Sequence, residues 1–174
     1  MPLPRDDHTA VVHDGREMIV FGGFVDGGER TNETYIYIIK DNKWEIVEAG
    51  KGGPKPRAGH SAVVYGNMMV VFGGRDEDNE KLNDLWIFDI PSRKWKEEKP
   101  VSPAPIPRSG HSACIVRDQM MIFGGILEVT KELDDMHTFD FQSKRWVSLF
   151  EETHSPSKTT QLPTTSHLSL EASP

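Results

Sequence analysis

The chain has 174 residues, with 20 lysines and arginines against 27 acidic residues and a formal net charge of −7. Nucleic acids and anionic membrane surfaces require clustered positive charge, so neither is expected as a partner. The single cysteine, Cys114, excludes an internal disulfide and any metal site built from paired cysteines.

Two sequence markers recur along the chain with a period of 51 residues. They are the Gly-Gly pairs that begin at Gly22, Gly73 and Gly124, and the tryptophans Trp44, Trp95 and Trp146. A period of about 50 residues with a Gly-Gly pair in each unit is typical of β-propellers, in which each unit buries its faces against its neighbours. The three repeats lie at about residues 4–55, 56–106 and 107–150.

Each repeat contains four short segments with the composition of β-strands. In the second repeat these are residues 60–65, 68–72, 85–90 and 95–98, and Gly66-Asn67 joins the first two in a hairpin turn. The second segment is almost entirely apolar, as in a strand buried on both faces, and the third alternates in polarity. The fourth begins with the repeated tryptophan and continues with charges, which predicts an outer edge strand protected against pairing with other chains.

Polar segments separate the predicted strands. Loops of equal length join the second and third segments, at residues 24–31, 75–82 and 126–133. The connections between repeats are rich in glycine at residues 49–55 and in proline at residues 99–106. Residues 151–174 are rich in Ser, Thr, Pro and His, which predicts a disordered tail. We regard the faint likeness of residues 163–167 to the start of a fourth repeat as chance, because the arginine and glycine are missing.

The repeated pattern resembles the kelch-repeat family. The matching residues are Arg57, His60, Gly73-Gly74, Trp86 and Trp95 in the second copy; Arg108, His111, Gly124-Gly125 and Trp146 in the third, with His137 at the aromatic position of its third strand; and Arg5, His8, Gly22-Gly23, Tyr35 and Trp44 in the first. The resemblance implies an all-β fold, a partial β-propeller of three four-stranded antiparallel kelch blades with a disordered C-terminal tail. Kelch propellers typically have about six blades, so three would leave two apolar faces uncovered. We therefore expect further blades or a second copy of the chain to complete the ring.

Residues that recur in every repeat are predicted to be structural, because such positions usually serve packing. Carboxylates accompany the arginines Arg5, Arg57 and Arg108 at Glu33, Asp84 and Asp135. These pairs form either an anion site at the propeller axis or, as we favour, ion pairs that tie blade to blade. For the histidines, hydrogen-bonded structural roles are favoured over a three-histidine metal site. The Gly-Gly pairs lack the lysine of a phosphate loop and are expected to allow unusual backbone angles and the close approach of the tryptophan or other aromatic side chains.

The loops between the second and third strands vary from repeat to repeat, and variable loops on a rigid scaffold usually carry binding specificity. We predict that they bind a protein partner through Asp26, Glu29, Arg30, Arg75, Asp76, Asp78, Glu80, Glu128 and Lys131. Their many acidic residues suit a basic or mixed-charge partner surface. The alternative is that these segments are merely solvated loops.

The predicted function is a non-enzymatic protein-interaction module, a scaffold or adaptor without catalytic residue, metal or cofactor. Neither a signal segment nor a sufficiently long apolar run is found in the sequence, so we expect a cytoplasmic location without membrane contact. One alternative is a fragment of a kelch-propeller enzyme. Copper oxidases of galactose-oxidase type need a cysteine cross-linked to a tyrosine, whereas we expect Cys114 to be a buried inert thiol. Iron-dependent specifier proteins use a Glu-x-x-x-Asp-x-x-x-His signature that residues 128–137 do not match. The other alternative is a truncated isoform without independent function.

Overall fold

The computed structural model describes residues 1–47 and 52–150. Within them the chain forms three four-stranded antiparallel sheets in succession, and the strands of each sheet lie in chain order. We refer to the sheets as blades 1, 2 and 3. The all-β fold of three four-stranded antiparallel blades is therefore confirmed. The disorder predicted for residues 151–174 and part of the glycine-rich connection lie outside the described residues.

The strands have the following bounds. Blade 1 consists of β1 (Thr9–His13), β2 (Glu17–Phe21), β3 (Thr34–Ile38) and β4 (Lys43–Val47). Blade 2 consists of β5 (Ser61–Tyr65), β6 (Met68–Phe72), β7 (Leu85–Asp89) and β8 (Lys94–Glu98). Blade 3 consists of β9 (Ser112–Val116), β10 (Gln119–Glu128), β11 (Lys131–Asp140) and β12 (Arg145–Phe150). A single 3-10 turn, Asp26–Gly28, follows β2 in the described part of the chain.

The first strands of the blades, β1, β5 and β9, lie side by side and line the inner end of the arrangement. The fourth strands, β4, β8 and β12, form the outer edges. Strand register shows which residues are equivalent: Thr9 lies opposite Phe21, Ser61 opposite Phe72 and Ser112 opposite Phe123. The predicted position of the tryptophan-bearing strand at the outer edge is confirmed.

The apolar core lies between blades, in two clusters. Blades 1 and 2 together bury Ile19, Phe21, Ile36, Met69, Val71, Phe88 and Ile90. Blades 2 and 3 together bury Val63, Val70, Phe72, Leu85, Met120, Ile122, Phe139 and Trp146. Side chains alternate along a strand, so β6 sends Met69 and Val71 to one cluster and Val70 and Phe72 to the other. Burial on both faces, predicted from the apolar run, is confirmed for this strand.

In blades 1 and 2, one face of the sheet packs against the following blade. No described residue covers the corresponding face of blade 3. Phe123, the equivalent of the fully buried Phe72, is 49% exposed. Cys114 is exposed as well, so the prediction of a buried thiol is wrong. Its counterpart Val63 packs in the cluster between blades 2 and 3, whereas Cys114 points away from that cluster. The exposure of both residues thus has a single cause.

The predicted loop at residues 126–133 is also wrong. Here β10 and β11 continue as a hairpin and pair as far as Glu128 opposite Lys131, with register shifts on either side of Gly125-Ile126. The first two repeats have Gly27-Gly28 and Asp78-Asn79 at the centre of this segment, and these residues favour turns. In the third repeat Val129-Thr130 forms a two-residue turn, and β10 continues through Ile126 and Leu127 up to it.

Candidate protein-binding surface

The segments that connect the second and third strands of blades 1 and 2 contact each other through Arg30. Its guanidinium carbon lies 4.7 Å from the centre of the Phe24 ring. Its Nη1 donates a hydrogen bond to the carbonyl oxygen of Glu77 at 3.3 Å, and its Nη2 donates to the side-chain oxygen of Asn79. We call residues 24–31 and 75–82 together the loop surface. The contacts of Arg30 hold its two halves in one arrangement.

Arg75 ties the same surface to the start of blade 1. Its guanidinium carbon lies 5.2 Å from the centre of the Phe24 ring, and its Nη2 donates to Asp7 Oδ2 at 3.0 Å. Lys81 is close by, and its partial burial together with the positive charges of Arg75 and Arg30 lowers its pKa. Two of the predicted binding residues, Arg30 and Arg75, therefore make contacts within the chain that order the loops.

Most acidic side chains of the loop surface are exposed. They are Asp26, Glu29, Glu77, Asp78 and Glu80. Asp76 has a different role, because its Oδ1 accepts hydrogen bonds from the backbone N–H groups of Asp78 and Glu80, both at 3.1 Å. This predicted binding residue closes its own loop. The remaining two, Glu128 and Lys131, lie opposite each other near the exposed tip of the β10–β11 hairpin.

The repeated arginines bind carboxylates of their own blade. Arg57 is fully buried, and its Nη1 and Nη2 donate to the two carboxylate oxygens of Asp84 at 2.7 and 2.8 Å. Its Nη1 also donates to the carbonyl oxygen of Gly73 at 3.0 Å. Arg108 makes the same fork with Asp135 at 2.5 and 2.8 Å. Each ion pair lies within one repeat, so the prediction that the pair itself ties blade to blade is wrong. The backbone of the arginine makes the contact between blades, because the N–H of Arg57 donates to the carbonyl of Thr31 at 3.2 Å.

The pair in blade 1 is weaker. Arg5 donates from Nη2 to one oxygen of Glu33 at 3.1 Å, and the Glu33 side chain is 37% exposed. In blade 3, burial opposes the ionisation of Asp135, but hydrogen bonds from Arg108 and His137 outweigh it and lower its pKa to about 2. The carboxylate of blade 3 is therefore held firmly in its charged form.

A polar ring on the third strand completes each carboxylate site, which the sequence analysis missed. Tyr35 Oη donates to Glu33 at 3.3 Å, and Trp86 Nε1 donates to Asp84 at 2.7 Å. His137 Nε2 lies 2.8 Å from Asp135 Oδ2. The shared property of the three rings is an N–H or O–H group two residues after the carboxylate. This signal is readable in the sequence and explains why histidine can occupy an aromatic position.

His60 and His111 join neighbouring blades, whereas His8 is exposed. His60 Nε2 lies 2.8 Å from Thr9 Oγ1 of blade 1, and His111 Nε2 lies 2.7 Å from Ser61 Oγ of blade 2. Burial, and then the nearby Arg57, lower the pKa of His60 to about 3. Burial and Arg108 lower that of His111 to about 4. Both rings are therefore neutral at pH 7. Across residues 1–47 and 52–150, no three His, Cys, Asp or Glu side chains form a group that could hold a metal ion.

The first glycine of the pair makes room for the next blade in blades 1 and 2. A Cβ atom on Gly73 would lie 2.8 Å from the carbonyl oxygen of Arg108 and 3.0 Å from Cε1 of His111. Gly22 meets the corresponding atoms of Arg57 and His60, both at 2.8 Å. The expected close approach of an aromatic ring is found at both glycines, but the ring is that of a histidine and not of a tryptophan, and an arginine carbonyl accompanies it. A positive φ of 65° at Gly73 also favours glycine there.

Comparison with known proteins agrees with this architecture. The family model described as the KLHDC2/KLHL20/DRC7 Kelch-repeats domain matches residues 1–169. The chain belongs to the kelch-repeat family. An F-box/kelch-repeat protein of Arabidopsis thaliana is 36% identical to this kelch chain over an alignment of 182 positions, which covers 95% of the chain and 37% of the relative. Rho GTPase-activating protein gacHH of Dictyostelium discoideum is 36% identical over 143 residues, covering 80% of the chain and 9% of the relative. The kelch chain thus spans well under half the length of these relatives.

Two of the three kelch tryptophans, Trp95 and Trp146, pack on the preceding blade. The ring of Trp95 lies 4.7 Å from that of Phe21, and the ring of Trp146 lies 4.9 Å from that of Phe72, between centroids. Trp95 Nε1 also donates to Thr34 Oγ1 at 3.0 Å. Trp146 Nε1 is buried without a hydrogen-bond partner in the described structure, because Leu85 occupies the position equivalent to Thr34.

Kelch repeats are typically protein-interaction domains. None of the described residues forms a helix long and apolar enough to span a membrane.

Proposed function

We propose that this kelch chain is a non-enzymatic module that acts in the cytoplasm as a scaffold or adaptor and binds a protein partner through the loop surface. The observation that carries the proposal is the stacking of Arg30 and Arg75 on Phe24, which links the loops of two blades. A surface that is ordered in this way loses less conformational freedom on binding than separate flexible loops would.

The charge distribution supports a basic partner surface. The arginines of the loop surface are engaged in contacts within the chain, whereas Asp26, Glu29, Asp78 and Glu80 are exposed. Exposed charges at the rim of an interface mainly increase association rate and specificity, and salt screens them. We therefore expect association to weaken as ionic strength increases. No described contact favours the alternatives of an enzyme fragment or of an isoform without function.

The experiment compares two variants with the same change in net charge. The loop variant carries Glu29→Gln, Asp78→Asn and Glu80→Gln. The control variant carries Asp41→Asn, Glu45→Gln and Glu97→Gln, which neutralise exposed carboxylates in the β3–β4 turn and on the outer strands. Proteins captured from a cell lysate by the wild-type chain are identified and quantified by mass spectrometry.

The proposal expects partners that the control variant retains and the loop variant loses, with a smaller difference at high salt. Equal recovery of the same partners by both variants would show that the loop surface does not bind them.

A further inference from the structure

Blade 3 ends in an apolar face that has the composition of one half of an inter-blade interface. We call it the trailing face, and it consists of Ser112, Cys114, Met121, Phe123 and Met136. The equivalent residues of blade 2 are Ser61, Val63, Val70, Phe72 and Leu85, and all of them are buried. On the trailing face, in contrast, Phe123 is 49% exposed and Cys114 is exposed.

Blade 1 presents the complementary half of an inter-blade interface on its own uncovered face. Its leading face consists of His8, Val12, Met18, Tyr37 and Trp44. The equivalent residues of blade 3 are His111, Ile115, Met120, Phe139 and Trp146, which pack against blade 2. On the leading face, Val12 is 56% exposed and His8 is exposed. The chain therefore presents both halves of its own internal interface, one at each end.

We propose that the trailing face of one copy binds the leading face of a second copy, and that two copies close one ring. The internal interfaces define the apolar contact. Trp95 packs on Phe21 and Trp146 on Phe72, with ring centroids 4.7 and 4.9 Å apart. Phe123 is the third phenylalanine of this series, and Trp44 of the second copy supplies the tryptophan that packs on it.

The polar contacts follow the same pattern. His60 reaches Thr9, and His111 reaches Ser61, so His8 of the second copy reaches Ser112. The backbone N–H of Gly23 donates to the carbonyl of Arg57, and that of Gly74 to the carbonyl of Arg108, both at 2.9 Å. The N–H of Gly125 accordingly donates to the carbonyl of Arg5 of the second copy.

A notch on the trailing face has the space for the incoming histidine. A cavity of about 350 Å³ is lined by Ser112, Phe123, Gly124, Gly125 and Leu133, among others. Beside Gly22 and Gly73 the corresponding space holds a histidine ring and an arginine carbonyl of the next blade. A Cβ atom on Gly124 would meet only the carbonyl oxygen of Leu133, at 3.0 Å. Gly124 thus lies beside open space at the position where an incoming histidine ring and arginine carbonyl would lie.

The number of copies follows from blade arithmetic. Propellers typically have about four to eight blades, and two copies of the three described blades give six. Two copies joined head to tail at both ends form a closed ring with two identical interfaces and no uncovered apolar face. The trailing and leading faces share no residue with the loop surface.

The test combines mass and thiol reactivity of the full chain. Light scattering should give about 39 kDa, twice the 19.6 kDa of one chain, at concentrations of about 100 µM. Cys114, the single thiol, should react with Ellman's reagent at least about tenfold more slowly in the dimer than at about 1 µM, where dissociation exposes it. Phe123→Asp and Val12→Asp, one on each face, should both give 19.6 kDa and a fast thiol. Val101→Asp, at a 59% exposed site between β8 and β9, should behave as wild type.

Three results would overturn the proposal. A wild-type monomer with a fast thiol at every concentration would mean that the faces do not associate. A monomer with a slow thiol at every concentration would assign the trailing face to residues 151–174 of the same chain. A dimer that persists in both Phe123→Asp and Val12→Asp, with a reactive Cys114, would place the contact elsewhere. Because the two variants lie on opposite faces, misfolding of one, detected by circular dichroism, leaves the other to decide.

Discussion

Replacement of Arg57 by methionine removes a fully buried guanidinium while it keeps most of the aliphatic stem. Both oxygens of Asp84 and the carbonyl of Gly73 lose a donor that now lies at 2.7, 2.8 and 3.0 Å. Loss of one partner of a buried ion pair costs about 3–5 kcal/mol. The Asp84 side chain is 28% exposed, so we expect a loss near the lower limit, about 3 kcal/mol. Against a total stability on the order of 5–15 kcal/mol, this change is large.

Urea unfolding at pH 7, followed by tryptophan fluorescence, measures the loss, and two further variants test its cause. Arg5→Met should lose less, about 1 kcal/mol, because Arg5 makes a single hydrogen bond to a partly exposed Glu33 besides its bond to the carbonyl oxygen of Gly22. The double variant Arg57→Met/Asp84→Leu should recover about half of the Arg57→Met loss, because no buried charge is left unpaired. The reasoning is refuted if Arg57→Met costs no more than Arg5→Met, or if the double variant is less stable than Arg57→Met.

Three other predictions concern contacts between and within blades. The pKa values of His60 and His111 in the folded chain are lowered to about 3 and about 4. The unfolded chain therefore binds more protons than the folded chain below pH 6.5. The free energy of unfolding should fall from pH 6.5 to about pH 4, by up to about 1.4 kcal/mol per pH unit for each histidine. Urea midpoints between pH 7.5 and 4.5 should show a smaller decrease for His111→Gln, and equal slopes would contradict this assignment. Trp95→Phe should cost about 1 kcal/mol more than Trp146→Phe in the same assay, because Trp95 Nε1 alone of the two donates to a side chain, and equal losses would argue against that role. His137→Phe should raise the pKa of Asp135, measured by carboxyl NMR, because the ring then donates no hydrogen bond to the carboxylate. His137→Trp should preserve this pKa, because Trp86 donates in the same way to Asp84. A pKa unchanged in both variants would show that the ring does not support the carboxylate.

The fold could be predicted because its markers recur with a constant 51-residue period. A period of this length fixes a repeated unit, and the apolar run of β6 then indicates a strand between two neighbours. The β10–β11 hairpin was partly readable, since the third repeat lacks the Gly27-Gly28 and Asp78-Asn79 pairs that the other repeats have at this position. The loop was predicted for residues 126–133 because the three repeats were assumed to be equal, and the strand propensity of the third repeat's own residues was given less weight.

Other features depend on geometry that spacing does not determine. Asp84 is 27 residues after Arg57 and 24 before Arg108, so its spacing does not reveal which arginine it binds. The structure decides for Arg57, in the same blade. The stacking of Arg30 and Arg75 on Phe24 joins residues of two repeats through side-chain packing, for which the sequence has no periodic signal. The exposure of Cys114 depends on a neighbour, and a strand's own sequence does not show whether it has one.

The two internal interfaces use equivalent donors and acceptors, and in each a histidine of the later blade reaches a hydroxyl of the earlier one. This uniform direction has an evolutionary consequence. An in-frame duplication of one 51-residue unit would insert a blade whose two faces already match both of its new neighbours. Duplication of a partial unit would place a histidine where no glycine makes room for its ring. Proteins built from these repeats can therefore gain or lose whole blades when the gene segment is copied or deleted. Insertions or deletions shorter than one unit are confined to exposed turns such as Asp14-Gly15-Arg16.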